Sequence, residues 1–168
     1  MGNQSEKNLR EAFAGESQAN RRYLAFAEKA SVEGFPNVAR LFRAIAESET
    51  IHAINHLRAL GEIKSTLENV EAALEGETDE ITGMYPMFMD QAKRDAHNDA
   101  LKSFFWANEA EITHGDFYGK ALETLKDDKD LDLKELYICD VCGYTVEGTV
   151  PEKCLTCGEG KEKFRLVT

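Results

Sequence analysis

Apolar residues recur every three to four positions along most of the chain up to residue 126, which is the period of α-helices that face a core. Four such stretches follow one another. The pattern predicts four helices, running from Ser5 to about Glu33, from Asn37 to Leu60, from Ser65 to about Ala96, and from Asn98 or Asp99 to about Leu125. Gly34-Phe35-Pro36 and Gly61 are expected to end the first two helices.

The second predicted helix carries its apolar seam on large side chains: Val38, Leu41, Phe42 and Ile45. A seam of this width indicates a surface that packs toward the core.

The third predicted helix contains Pro86. Proline has no backbone N–H and its ring clashes with the preceding turn. We therefore expect the axis of this helix to kink between Thr82 and Tyr85.

Acidic and imidazole side chains interrupt the apolar seams of the second and fourth helices. The second helix carries Glu49 and His52, and the fourth carries Glu111 and His114. Residues three apart lie on one face of a helix, so each pair presents a carboxylate beside an imidazole. A charged carboxylate facing a core without a partner costs roughly several kcal/mol. The two pairs therefore indicate a bound cation.

The first and third helices supply glutamates at matching positions. Glu16 precedes Glu49 by 33 residues and Glu77 precedes Glu111 by 34, so the chain contains two helix hairpins of the form Glu … Glu-x-x-His. Two such hairpins, packed with these faces inward, make a four-helix bundle with the ligand set of di-iron and di-manganese carboxylate proteins. Glu80 adds a fifth carboxylate that has no counterpart in the first hairpin. Mixed carboxylate and imidazole donors favour iron or manganese over zinc.

All four cysteines fall in the last 30 residues, as two C-x-x-C pairs: Cys139 with Cys142, and Cys154 with Cys157. Four thiolates in this spacing form a tetrahedral site for zinc or iron. A structural zinc ribbon is the commoner use of such a site. Iron here would instead form an electron relay beside a di-iron bundle, so iron is favoured, with zinc as a substitute. About 33 residues are too few to fold on a core alone, so metal binding is expected to drive folding.

Composition narrows the class of protein further. The chain has 168 residues, of which 42% are hydrophobic, and its net charge of −11 argues against binding to nucleic acid or anionic membranes. There is no apolar run of about 20 residues and no signal-peptide pattern, and paired cysteines suit a reducing cytoplasm. We expect a cytoplasmic protein with a helical bundle at 1–126, a charged linker without a core face at 127–135, and a four-cysteine metal-binding domain at 136–168.

These motifs resemble the rubrerythrin family. The resemblance covers nearly the whole chain and is carried by Ala14-Gly15-Glu16-Ser17-Gln18-Ala19, Glu49-x-x-His52, Gly76-Glu77-x-x-Glu80, Met84-Tyr85-Pro86, Glu111-x-x-His114 and the C-terminal four-cysteine module. It implies an all-α, ferritin-like four-helix bundle with a non-haem di-iron centre, joined to a small rubredoxin-like domain that holds one iron on four cysteines.

The resemblance also implies a role for each metal ligand. Glu49 and Glu111 would bridge the two irons. Glu16 and Glu80 would bind one iron, and Glu77 and His114 the other.

Four residues would have roles beyond static ligation. The family resemblance implies that one iron exchanges Glu80 for His52 on reduction. It places Tyr23 and Tyr85 near the centre, as hydrogen-bond partners of ligand carboxylates. The chain departs from many rubredoxin knuckles at Asp140 and Leu155, where proline often follows the first cysteine.

The function implied by this resemblance is a peroxidase that reduces hydrogen peroxide to water in oxidative-stress defence. Electrons would come from a rubredoxin or an NAD(P)H-linked reductase and pass through the cysteine-bound iron. A homodimer or higher homo-oligomer is expected. One alternative is a ferroxidase or other iron-handling protein, which the bundle alone would allow. Another is a binding protein with a structural zinc ribbon.

Overall fold

The computed structural model describes residues 3–168, and this part of the chain is mostly helical. Its helices are α1 (Gln4–Val32), α2 (Pro36–Leu60), α3 (Thr66–Asp79), a π-helical segment (Glu80–Met84), α4 (Tyr85–Arg94), α5 (Asn98–Lys126) and a 3₁₀ turn (Lys161–Lys163). Its strands are β1 (Leu136–Cys139), β2 (Thr145–Glu147) and β3 (Phe164–Leu166). The chain divides into two compact units, one ending at Lys64 and the other beginning at Ser65.

The first unit is a hairpin of α1 and α2. Asn3 caps α1 by accepting a hydrogen bond from the backbone N–H of Glu6 at 3.0 Å. Pro36 begins α2, where the fixed φ of proline suits the first turn. Gly61 ends α2 in the left-handed conformation with a φ of 69°, as predicted.

Small side chains form the buried contact of this hairpin. The buried residues of α2 lie seven positions apart, at Ala39, Ala46 and Ala53. Those of α1 are Asn20, Ala27 and Ala30. Three of the four large residues of the predicted seam are exposed, Val38 by 44%, Leu41 by 58% and Ile45 by 37%, while Phe42 is half-buried. The hairpin itself therefore closes on small side chains, which let two helix backbones approach closely.

The second unit begins with the predicted third helix, which the structure divides into α3, the π-helical segment and α4. Ser65 starts α3 with a capping box that it forms with Glu68. The backbone N–H of Tyr85 donates to the carbonyl of Glu80, five residues back, just before Pro86. The helix is therefore disturbed where the proline predicted it, but the disturbance is a π-helical segment rather than a simple kink. The helix also ends earlier than predicted, at Arg94.

The C-terminal module is a three-stranded antiparallel sheet with β1 in the middle, between β2 and β3. Ile138 of β1 pairs with Thr145 of β2 and Arg165 of β3. Cys139 ends β1, Cys142 lies in the turn that follows, and the second cysteine pair lies between the bridged residues Lys153 and Gly160.

Two leucines of the predicted linker lie beside α5. Leu131 and Leu133 line a cavity of about 390 Å³ together with Phe117, Tyr118 and Ala121 of α5. Leu131 is half-buried there, and Leu133 remains 43% exposed.

The described architecture matches the predicted fold class, with long helices followed by a small cysteine-bearing domain. Among residues 3–168, no helix combines the length and apolar character needed to cross a membrane.

Candidate metal centres

The first Glu/His cluster lies in the α1–α2 hairpin. Glu16, Glu49 and His52 each place one possible ligand atom within 4.8 Å of the others. Nδ1 of His52 forms a hydrogen bond of 2.9 Å with Oε2 of Glu49. The hydrogen bond between the two carboxyl groups raises the pKa of Glu16, and the hydrogen bond from His52 lowers the pKa of Glu49. Carboxyl groups held this close repel each other unless a proton or a cation lies between them.

The second cluster repeats the same donor set in the other unit. Glu77, Glu111 and His114 also place possible ligand atoms within 4.8 Å of one another. Nδ1 of His114 forms a hydrogen bond of 2.6 Å with Oε2 of Glu111. Burial, followed by the hydrogen bond and charge of Glu111, raises the pKa of Glu77 to about 7. Both clusters therefore combine a crowded pair of carboxyl groups with an imidazole, which fits the preference of iron for oxygen and nitrogen donors.

Glu80 stands at the start of the π-helical segment and outside the close cluster of Glu77, Glu111 and His114. Burial raises the pKa of Glu80, and the negative charge of Glu111 raises it further. The carboxyl group of Glu80 is therefore close enough for the charge of Glu111 to raise its pKa, but it does not belong to the group of ligand atoms that lie within 4.8 Å of one another.

The two predicted tyrosines have different surroundings. Tyr23 packs its ring against Phe26 and Phe42, with centroids 6.3 and 6.0 Å away. Tyr85 lies near the second cluster, where burial and then the charge of Glu80 raise the pKa of its hydroxyl. Tyr85 thus keeps its proton and can donate a hydrogen bond.

The four cysteines form the third group, and all are free thiols. The Sγ atoms of Cys139 and Cys157 are 3.7 Å apart, and those of Cys142 and Cys154 are 3.5 Å apart. A tetrahedral ion with metal–sulfur bonds of about 2.3 Å requires sulfur atoms about 3.8 Å apart. The group therefore fits a tetrahedral iron or zinc ion.

Backbone geometry holds both cysteine pairs in similar knuckles. The N–H of Gly143 donates to the carbonyl of Cys139, and the N–H of Gly158 donates to that of Cys154, each at 2.9 Å. Both glycines have positive φ, 82° and 79°, which allows the chain to turn tightly after the second cysteine. Burial raises the pKa of the Cys142 thiol, so a metal ion is needed to hold it as a thiolate.

Asn20 is a site residue that the sequence motifs did not single out. Its side chain is buried and lies one helical turn after Glu16. Its Nδ2 donates to the carbonyl of Ala46 and to Oγ1 of Thr50, both at 2.7 Å. These bonds fix the register of α1 against α2, and therefore of Glu16 against Glu49. The sequence feature that could have revealed Asn20 is its position, as a polar residue, on the apolar stripe of α1.

Thr145 is a second such residue. Its Oγ1 lies 3.2 Å from Nε2 of His114, which joins the cysteine module to the second cluster. No motif spacing reveals this contact, because it depends on how β2 packs against α5.

Comparison with known proteins accounts for both parts of the chain. A family model described as Rubrerythrin matches residues 7–122, and one described as the rubrerythrin rubredoxin-like domain matches residues 137–165. The chain is a member of the rubrerythrin family.

Related rubrerythrins extend the match over nearly the full length. Rubrerythrin-2 of Clostridium acetobutylicum is 37% identical over 171 residues, covering 94% of this chain and 93% of that protein. Nigerythrin of Nitratidesulfovibrio vulgaris is 31% identical over 172 residues, covering 94% and 84%. A solved structure of nigerythrin in a mixed-valence state has a TM-score of 0.56 and 30% identity, over 99% of this chain and 88% of that one.

Rubrerythrins are oxidoreductases with a di-iron site and a rubredoxin-like four-cysteine iron site, and this chain carries the Glu/His and cysteine groups for both. The predicted family, fold class and iron cofactors are thereby confirmed. The family generally consists of peroxide-related di-iron proteins that act with rubredoxin-like electron donors.

Proposed function

We propose that this protein is a peroxidase that reduces hydrogen peroxide to two waters as part of oxidative-stress defence. The observation that carries the proposal is the repeated cluster of two carboxylates and one imidazole, accompanied by a four-cysteine site in the same chain. A pair of irons, when bound, supplies the two electrons that break the O–O bond, and two protons complete the waters. The four-cysteine site provides a one-electron entry that an iron-storage protein does not need.

The two clusters together would hold the iron pair, with each residue in the role implied by the family resemblance. Glu49 and Glu111 would be shared between the two irons. Glu16 and Glu80 would hold one iron, and Glu77 and His114 would hold the other. The internal repeat supports this assignment, because it supplies equivalent donors from two equivalent hairpins.

Exchange of Glu80 for His52 would match ligand charge to the oxidation state of the centre. His52 has the freedom for this, since its side chain is 51% exposed. The π-helical segment that begins at Glu80 also favours movement there, because such segments weaken the regular α-helical hydrogen bonding. Tyr85 keeps the proton on its hydroxyl and would donate a hydrogen bond to a ligand carboxylate, and Tyr23 would make a weaker bond of the same kind in the first hairpin.

The electrons would come from a rubredoxin or an NAD(P)H-linked reductase that reduces the four-cysteine site. We place this reaction in the cytoplasm, where thiols such as these four remain reduced. The functional domains would be 1–126 and 136–168, joined by 127–135, and the active form a homodimer or higher homo-oligomer.

An anaerobic single-turnover experiment tests the proposal. The protein is loaded with iron, fully reduced and mixed with one equivalent of hydrogen peroxide while its visible spectrum is recorded. We expect the iron pair to be oxidised within the mixing time to seconds, with the cysteine-bound iron following. A centre that reacts with dioxygen but not with peroxide would contradict the proposal and favour a ferroxidase. A colourless protein purified from its native source with zinc at the four-cysteine site would contradict the electron relay.

A further inference from the structure

Thr145 lies between the cysteine module and the second Glu/His cluster. It is the first residue of β2, three positions after Cys142. Its Oγ1 is 3.2 Å from Nε2 of His114 and also 3.2 Å from the carbonyl oxygen of Gly143 in the first cysteine knuckle. One hydroxyl group thus contacts both a proposed iron ligand and the loop that holds two thiolates.

The direction of these hydrogen bonds follows from the single proton of the Thr145 hydroxyl. A threonine hydroxyl has one proton and two lone pairs. A backbone carbonyl can only accept, so Thr145 donates its proton to Gly143. Toward His114 the hydroxyl oxygen therefore offers a lone pair, and Nε2 of His114 must be the donor.

This arrangement leaves Nδ1 as the metal-binding nitrogen of His114. Nδ1 is the ring nitrogen on the side of Glu111, at 2.6 Å from its carboxylate. A metal held here would replace the proton shared between these two groups, and the neutral imidazole would then carry its proton on Nε2 and its lone pair on Nδ1. The hydrogen bond to Thr145 therefore selects the tautomer, and the ring orientation, in which Nδ1 can bind a metal.

Thr145 is itself held by the fold of the cysteine module. It pairs with Ile138 across the β1–β2 ladder, and the neighbouring Tyr144 accepts a hydrogen bond from the N–H of Cys139 at 2.9 Å. A module of this size depends on its metal to fold. Occupancy of the four-cysteine site therefore fixes the position of the hydroxyl that orients His114.

The first cluster offers a contrast within the same chain. The described hydrogen bond of His52 joins Nδ1 to Glu49 within its own helix, and its side chain is 51% exposed. The side chain of His114 is 30% exposed and is held from both ring nitrogens. The contact with Thr145 thus belongs to one of two otherwise matched histidines.

We propose that Thr145 is a positioning residue of the iron centre, through which the four-cysteine module fixes the tautomer and orientation of His114. The inference rests on the proposed function in one respect, which is that the Glu/His clusters bind iron. It assigns a specific residue to the coupling between the two kinds of metal site. Residues that orient a metal ligand in this way typically change metal affinity by about 10–100-fold when removed.

Ferrous iron binding to the full-length protein tests this role without peroxide. The four-cysteine site is kept loaded, the Glu/His clusters are emptied, and ferrous chloride is titrated anaerobically by calorimetry. Thr145→Val preserves the shape and β-branching of the side chain but cannot accept from Nε2. Thr145→Ser restores the hydroxyl. Thr124→Val on α5, whose hydroxyl donates to the carbonyl of Lys120, is the matched control.

We expect Thr145→Val to weaken one of the two ferrous binding steps by about 10–100-fold. Thr145→Ser and Thr124→Val should remain close to the wild type. Affinity of Thr145→Val within about twofold of wild type, with an unchanged spectrum of the cysteine-bound iron, would overturn the proposal.

A measurement on the wild-type protein decides the matter if Thr145→Val disturbs the cysteine module. In the zinc-loaded protein, ¹⁵N NMR of the histidine rings should show the His114 proton on Nε2 and the metal on Nδ1. A proton on Nδ1 would overturn the proposal. Failure to consume peroxide would instead refute the proposed function while leaving these affinity and NMR results intact.

Discussion

The two Glu/His clusters have the same donors but hold their histidines differently. His114 lies 2.6 Å from Glu111 and contacts Thr145 through its other nitrogen, and its side chain is 30% exposed. His52 lies 2.9 Å from Glu49 and is 51% exposed. The same sequence motif has therefore given one imidazole that is held through both ring nitrogens and one half-exposed imidazole whose described hydrogen bond uses Nδ1.

This difference matches the division of roles that we propose for the iron pair. An imidazole held from both ring nitrogens keeps one orientation, which suits a permanent ligand. An exposed imidazole with one local hydrogen bond can bind and release an iron at little cost in free energy. The carboxylate proposed to exchange with His52 is Glu80, which stands where the helix changes to π geometry. The next four predictions test this asymmetry.

The largest effect is expected from removing a bridging carboxylate. Glu111→Gln should lower ferrous affinity and peroxide turnover by more than about 100-fold, because even residues behind a ligand cost about 10–100-fold. Iron content and stopped-flow oxidation measure the change. Glu123→Gln on the exposed surface of α5 is the control and should behave as wild type. Full iron occupancy in Glu111→Gln would exclude the bridging role.

The next largest effects are expected from substituting the two histidines, and these effects should differ. His114→Ala is expected to weaken ferrous binding by about 100-fold, since it removes a fixed ligand. His52→Ala should keep the oxidised iron pair but slow the reaction of the reduced protein with peroxide by about tenfold, because only the reduced state would use this ligand. Anaerobic iron analysis and single-turnover kinetics distinguish the two. Equal losses of iron from both variants would mean that the clusters are equivalent.

The tyrosines should show a smaller asymmetry. A hydrogen bond to a charged group contributes about 1.5 kcal/mol, so Tyr85→Phe should slow single-turnover oxidation by about tenfold. Tyr23 packs its ring against Phe26 and Phe42, and Tyr23→Phe keeps those contacts. Its effect should therefore be less than that of Tyr85→Phe. The reverse order would show that the hydroxyl acts in the first hairpin instead.

The smallest effect is expected on the free energy of unfolding of protein that lacks metal at the Glu/His clusters. The pKa of Glu77 is raised from 4.5 to about 7, so the folded state holds a proton that the unfolded state has lost over this range. The free energy of unfolding should therefore fall as pH rises from 4.5 to 7. Because Glu77 is only partly buried, we expect a contribution on the order of 1 kcal/mol.

Urea unfolding at about pH 5 and about pH 8, on either side of the titration, measures this contribution. Glu77→Gln should reduce the difference between the two pH values, and Glu75→Gln, an exposed residue of the same helix, should not. An unchanged difference in Glu77→Gln would show that the crowding of carboxyl groups in the second cluster is not linked to stability.

Much of the candidate site could be predicted from the sequence because its signals are local. Glu49 and His52 share a helical face for geometric reasons, as do Glu111 and His114. The cysteine spacing likewise requires close thiols. The structure brings Glu16 to Glu49 and Glu77 to Glu111, and it groups the four cysteines.

The features that could not be predicted depend on contacts between elements. Large residues at Leu41 and Ile45 suggested a core seam, but the hairpin closes on alanines that carry little signal in a hydrophobicity pattern. Pro86 marked a disturbance in the helix without revealing that the helix would pass into π geometry. The contact of Thr145 with His114 joins residues 31 positions apart in different elements.

Electron paramagnetic resonance of the iron-loaded protein, reduced by one electron per iron pair, tests the central claim most directly. The claim is that the cluster of Glu16, Glu49 and His52 and the cluster of Glu77, Glu111 and His114 hold two irons in one centre. Irons that share bridging carboxylates at about 3.5–4 Å are magnetically coupled. We predict a coupled half-integer signal that Glu49→Gln and Glu111→Gln each abolish. Only uncoupled, mononuclear ferric signals in fully loaded wild-type protein would contradict the account.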